Sequence, residues 1–202
     1  MFMSKGISKT FGWLSTSKKM TTTASSTTRM ISIGTDLINS DHIWQKARPW
    51  NMDGTSSNMA TDNAITMFDM FSKKTVVVFG VPAPFTGTCT NEHYPPYAKL
   101  ASTFQQEGVD EVVCYSVTDP YSHDGWSKSL QNNDDDIRFV ADTEGEWAKE
   151  YDLDRDYSAS SLGIKSARFS MLVKDGIVKT FHEVEDALQD AETLLDDVKQ
   201  NK

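Results

Sequence analysis

The chain has 202 residues, with 29 Asp or Glu against 20 Lys or Arg and a formal net charge of −9. That length carries one ordinary domain with an extension and allows a sizeable core. The acidic balance argues against nucleic acid, whose phosphates need clustered Lys and Arg, and no apolar run is long enough to span a membrane.

Residues 1–35 contain no Asp or Glu, carry Lys5, Lys9, Lys18, Lys19 and Arg29, and are crowded with Ser and Thr. Drawn as a helix over 3–14, Met3, Ile7, Phe11 and Leu14 fall on one face, with Lys5 and Lys9 opposite. This reads as an organelle transit peptide, mitochondrial more than plastid; a disordered tail on a cytoplasmic protein is the plain alternative. Residues 36–202 then form the folded domain. Its first stretch, 36–64, reads as irregular and polar, with a turn at Asn51-Met52-Asp53-Gly54.

The β-branched run Thr75–Val81 predicts a central strand, apolar on both faces as in a covered sheet. A loop with Pro82 and Pro84 follows. From Cys89 to Glu107 the spacing of Tyr94, Tyr97, Leu100, Ala101 and Phe104 predicts a helix closed by Gly108, its first turns disturbed by Pro95 and Pro96. Strands are predicted at Val112–Val117 and Ile137–Val140, and short helices around Trp126 and over Glu144–Tyr151. Arg168–Val173 and Ile177–Phe181 make a hairpin across Lys174-Asp175-Gly176. Glu185–Val198 predicts a closing amphipathic helix with Leu188, Ala191, Leu194, Leu195 and Val198 inward. Asn132–Asp136 reads as a solvated loop; its spacing lacks a calcium-binding pattern. Strands alternating with helices, then a hairpin and a last helix, define an α/β chain with a mixed central sheet.

Two cysteines, Cys89 and Cys114, are too few for a disulfide-stapled scaffold or a Cys-rich zinc site. A strand, a tight loop and a helix beginning at Cys89 put that sulfur at a helix N-terminus. There, free N–H groups and the helix dipole favour thiolate, the reactive form. A dithiol oxidoreductase of the CxxC kind needs a second Cys at position 86, where this chain has Thr86. That hydroxyl can hydrogen-bond the sulfur or an incoming oxygen but cannot form a disulfide.

Pro82-x-x-x-Thr86-x-x-Cys89 is similar to the active-site motif of the peroxiredoxins. The fuller string Phe79-Gly80-Val81-Pro82…Phe85-Thr86-Gly87-Thr88-Cys89-Thr90…His93…Pro95 resembles the atypical, type II subgroup. Val112–Asp119, the stretch around Trp126, Tyr151–Leu153 and Leu162–Gly176 continue the resemblance in order, so that it covers roughly residues 65–198. It implies a thioredoxin-like fold, a mixed central β-sheet flanked by helices on both faces. It also implies a thiol-dependent peroxidase without cofactor or metal, acting on hydrogen peroxide and alkyl hydroperoxides.

Carried over by position, the resemblance makes Cys89 the peroxidatic nucleophile, oxidised to a sulfenic acid. Thr86 positions the peroxide, Pro82 shields the site, and Arg168 aims its guanidinium at sulfur and peroxide. His93, one helical turn beyond Cys89, reads as structural or as a donor behind the site. Gly87 stands where the subgroup has Pro, and Pro96 where it has Gly, which puts loop rigidity in question rather than reaction type. Cys114 is a resolving or a structural thiol. Burial in mid-strand favours the latter, with glutathione and glutaredoxin, or a thioredoxin, as the external reductant. A homodimer packed near the active-site loop is also implied. The alternative function is a peroxide-sensing relay that passes oxidation to a partner protein.

Overall fold

The structure is a computed structural model that describes residues 29–132 and 136–202. The basic start of the chain, up to residue 28, and the centre of the Asn132–Asp136 run lie outside the described residues. The first described segment leads to β1 (Ile43–Lys46), β2 (Ala64–Thr66) and α1 (Met67–Phe71). Then come β3 (Thr75–Gly80), α2 (Tyr94–Gln106), β4 (Glu111–Ser116), α3 (Pro120–Ser129), β5 (Arg138–Ala141) and α4 (Glu146–Glu150). A small hairpin of β6 (Asp154–Asp156) and β7 (Ile164–Ser166) precedes β8 (Phe169–Lys174), β9 (Ile177–Glu183) and α5 (Asp190–Gln200).

Seven of these strands form one sheet in the order β2-β1-β5-β4-β3-β8-β9. β3, β4 and β5 run parallel, whereas β8, β9, β1 and β2 join antiparallel, so the sheet is mixed as expected. Alternation of side chains assigns each strand's residues to two cores. Val76, Val78, Val113, Tyr115, Phe169 and Met171 enter the core closed by α1 and α4, around Trp44 and Trp147. Val77, Phe79, Val112, Cys114 and Leu172 enter the other, closed by α2, α3 and α5 around Tyr97, Phe104, Trp126 and Leu194. Both faces are therefore covered, which explains why β3 is buried at every position beyond Thr75. The chain has the thioredoxin-like architecture that its sequence implies. Among the described residues, no helix is long and apolar enough to cross a membrane.

Several boundaries depart from the sequence reading. The segment 36–64, expected to be irregular, contains β1 and the start of β2, which extend the sheet beyond β5. β1 buries only its two middle residues, Trp44 and Gln45, too little for a periodic signal. α5 begins at Asp190 rather than Glu185, and Leu188 lies 53% exposed before it instead of facing inward. Ala191, Leu194, Leu195 and Val198 are buried as expected. The β8–β9 turn puts Asp175 and Gly176 at φ 46° and 77°, the two left-handed residues that a tight hairpin turn demands.

Gly80 ends β3 opposite Phe169 in the β3–β8 register. A Cβ at this position would fall inside the Phe169 ring, with even Cζ only 2.7 Å away. The glycine thus lets the ring next to Arg168 lie flat on the strand that leads to Cys89. Gly80→Ala should cost about 1–3 kcal/mol through overpacking, read as a lower urea midpoint at unchanged slope.

Candidate active site

The loop after β3 is held before any chemistry is considered. The Val81 N–H continues the ladder to the Tyr115 carbonyl at 2.9 Å, and the Ser166 hydroxyl donates to the Val81 carbonyl at 3.2 Å. Pro82 is buried. Phe85, 60% exposed, turns the chain with φ 61°. The Thr86 hydroxyl donates to the Ala83 carbonyl at 2.8 Å, closing the loop on itself while leaving its oxygen lone pairs available.

Helical geometry opens at Gly87, two residues earlier than the sequence suggests, and the Thr90 N–H bonds the Thr86 carbonyl at 2.9 Å. Gly87 has open space where its Cβ would be. Cys89–His93 then form a wide π turn, with the Tyr94 N–H reaching back to the Cys89 carbonyl. The cause lies just downstream. Pro95 and Pro96 supply no N–H to the preceding carbonyls, so the regular ladder cannot run through this turn, and an i→i+5 bond fits in its place. The result puts Cys89 and His93 on the inner side of the helix, both buried.

Cys89 is 1% exposed. Arg168, between β7 and β8, donates from Nη2 to Cys89 Sγ at 3.5 Å and from Nη1 to His93 Nδ1 at 3.0 Å. Its own carbonyl is fixed by the Val184 N–H at 3.0 Å. His93 Nε2 pairs with Asp190 Oδ2 at 2.8 Å. Tyr97 and Ser170 donate to the same carboxylate at 2.5 and 2.6 Å.

A guanidinium only donates, so His93 Nδ1 is the acceptor and Nε2 carries the proton toward Asp190. Burial pushes the His93 imidazole below its ordinary value, against the upward pull of Asp190, with the Arg168 charge adding to the downward effect. The ring is edge-on to Phe79 and Tyr97, at centroid distances of 5.3 and 5.6 Å.

Of the residues singled out from the sequence, Cys89 and Arg168 are in direct contact, Pro82 lines a groove together with Arg168, and Thr86 lies on the loop three residues before Cys89. His93, expected to be structural or a donor behind the site, accepts from Arg168 at Nδ1 and faces Asp190 with Nε2. Asp190 was missed altogether. It lies in an acid-rich stretch far along the chain, where its single inward carboxylate has no local signature.

Cys114 lies on the α2–α3 face of β4, fully buried, with Sγ 3.9 Å from His123 Nε2. Burial pushes its thiol well up, with a smaller contribution from Cys89. Both cysteines are free. A groove of about 490 Å³ opens beside Pro82 and Arg168, rimmed by Arg155, Tyr157, Glu183 and Glu185. A separate cavity of about 310 Å³, among Asp41, His42, Asp142 and Glu144, shares no residue with it.

A cysteine in the first turns of a helix, held by an arginine and preceded by the Pro-x-x-x-Thr loop, on a mixed sheet with helices on both faces, defines a thiol-based redox protein of thioredoxin-like fold. The family model for redoxins matches residues 46–195, and the chain belongs to the peroxiredoxins within that family. It is 41% identical over 159 residues to the mitochondrial peroxiredoxin-2F of Oryza sativa subsp. japonica, a match covering 76% of this chain and 77% of that one. It is likewise 41% identical over 146 residues to mitochondrial peroxiredoxin-2F of Arabidopsis thaliana, covering 72% and 70%. Among solved structures, reduced Prx3 of Vibrio vulnificus in complex with hydrogen peroxide superposes with a TM-score of 0.71 at 26% identity, over 85% of this chain and 98% of that one. The protein is a thiol-dependent peroxidase of the oxidoreductase class.

His93 and His123 also set an acid limit on stability. Burial holds His123 down to about 3, and His93 is lowered as well, whereas an unfolded chain binds a proton on each near pH 6.5. The unfolded state therefore gains protons first. The histidine contribution is complete above about pH 6.5 and is lost below it, at up to about 1.4 kcal/mol per pH unit for each ring. His123→Phe keeps an aromatic ring beside Trp126 and Phe139. Urea midpoints between pH 7.5 and 4.5 should fall less steeply for this variant; parallel curves would contradict the account.

Proposed function

We propose that Cys89 is the sulfur that reacts with the peroxide, with Arg168, Thr86 and Pro82 as its immediate partners. The observation that carries this reading is the contact of Arg168 Nη2 with Cys89 Sγ at 3.5 Å. The thiolate sulfur attacks one peroxide oxygen, the O–O bond breaks, and the departing oxygen takes a proton and leaves as water or alcohol. Cys89 becomes a sulfenic acid. One external thiol condenses with it, releasing water and forming a mixed disulfide; a second thiol restores Cys89 and leaves as the oxidised disulfide.

Arg168 offers N–H groups to the negative charge that grows on the departing oxygen. Thr86, its own proton committed to the Ala83 carbonyl, accepts from the O–H of the incoming peroxide. Pro82, buried at the start of the loop that leads to the sulfur, keeps bulk water out.

The reductant is an external thiol: glutathione with glutaredoxin, or a thioredoxin. Cys114 is fully buried and its thiol is pushed up, so it is a slow nucleophile locked in a strand. We assign the approach of the outside sulfur to the groove that Pro82 and Arg168 line. A homodimer meeting at the active-site loop is supported by the outward Phe85.

The names of the rice and Arabidopsis relatives, with the basic, acid-free start of this chain, support a mitochondrial location. Composition ends the leader at residue 35 and begins the domain at 36. However, Ile31 is buried in the core, and the Arg29 N–H bonds the Glu150 carbonyl at 2.7 Å, so a cut that spares the fold falls before Arg29.

Stopped-flow fluorescence of the reduced protein with hydrogen peroxide tests the assignment. Cys89→Ser should abolish the reaction, and Arg168→Lys should slow it on the order of 10²-fold. Cys114→Ser should keep glutathione-supported turnover within about two-fold of the wild type; its loss would return the resolving role to Cys114. Oxidation that passes stoichiometrically to one partner protein, without steady consumption of peroxide by small thiols, would favour the sensing relay.

A further inference from the structure

We propose that Asp190 is a positioning residue of the peroxidatic site, acting through His93 to hold Arg168 against the Cys89 sulfur. The inference rests on Cys89 being the reacting thiol and extends the site to the last helix of the fold.

Asp190 is 5% exposed, yet it is the first residue of α5, where exposure would be the ordinary outcome for an acid. The positive end of the helix dipole offsets some of the cost of burying the carboxylate there. Its two oxygens take three donors: Ser170 on Oδ1, and Tyr97 and His93 on Oδ2. Ser170 comes from the inner side of β8 and Tyr97 from α2. Only the imidazole leads onward to the sulfur.

The order of donors along this path has one solution. An acid group that only accepts requires the proton of His93 to sit on Nε2. Nδ1 is then bare and can receive Arg168 Nη1 at 3.0 Å, which leaves Nη2 directed at Cys89. The opposite tautomer would oppose an N–H to the guanidinium and push it off the sulfur. Phe79 and Tyr97 stand edge-on to the ring, so the imidazole cannot turn away to escape the choice. Asp190 therefore fixes a tautomer, and the tautomer fixes an arginine.

The tautomer is read directly by long-range proton–nitrogen spectra of the reduced protein labelled at histidine, with His93→Leu assigning the signals. A protonated Nε2 and bare Nδ1 on His93 are expected; the reverse overturns the proposal, whatever the turnover. Kinetics supply the second readout. Asp190→Ala should lower the second-order rate constant with hydrogen peroxide at least about ten-fold, and Asp190→Asn, which keeps one oxygen for the Nε2 proton, should recover most of it. In a His93→Leu background, Asp190→Ala should change the rate less than about two-fold, as expected of residues acting in series.

A folded Asp190→Ala that reacts like the wild type, or equal losses in both backgrounds, overturns the proposal. Where Asp190→Ala fails to fold, the wild-type spectrum still decides. A wild-type protein inert to peroxide would instead refute the role of Cys89, an outcome separable from these.

Discussion

The guanidinium of Arg168, stretched between a buried sulfur and a buried imidazole, is the interaction around which the rest of this structure is arranged. A cation in such a place needs acceptors, or its desolvation goes uncompensated. Cys89 Sγ supplies one and His93 Nδ1 another. Each is held where it is by its surroundings: the π turn that carries Cys89, the Phe79 and Tyr97 rings around His93, and the start of β8 directly after Arg168.

The two-faced sheet explains how these parts come together. Strand alternation sends Phe79 and Cys114 to one core and Val78 and Tyr115 to the other. Ser170, adjacent to Phe169 in β8, points its hydroxyl to the α5 side, while Phe169 covers Gly80 on the opposite side. One strand thus supports the loop before the sulfur from one face and anchors the buried carboxylate on the other. The fold provides a rigid frame, and the site uses the ends of its elements.

The sequence discloses the parts of this arrangement that are local. The β-branched run of β3, the turn of the β8–β9 hairpin and the Pro82, Thr86, Cys89 motif all lie within short windows, where residue type and spacing are enough. β1 escaped because four residues with two buried side chains carry no period, and its sheet partners are set by tertiary pairing. The start of α5 was overextended because Leu188 falls in phase with the buried face but precedes the first helical residue. Arg168 was legible only through the family motif, and Asp190 not at all. A carboxylate whose meaning depends on an imidazole from another element is indistinguishable, in sequence, from the solvated acids around it.

The order in which these groups lie along the chain has a consequence for how the protein is made. Synthesis proceeds from the N-terminus, so β3 and the loop bearing the sulfur leave the ribosome well before Arg168, and Asp190 follows later still. A nascent chain therefore carries Cys89 before the guanidinium that contacts it exists. The contact forms only once Arg168 has been made, and its link through His93 to Asp190 only once α5 has docked.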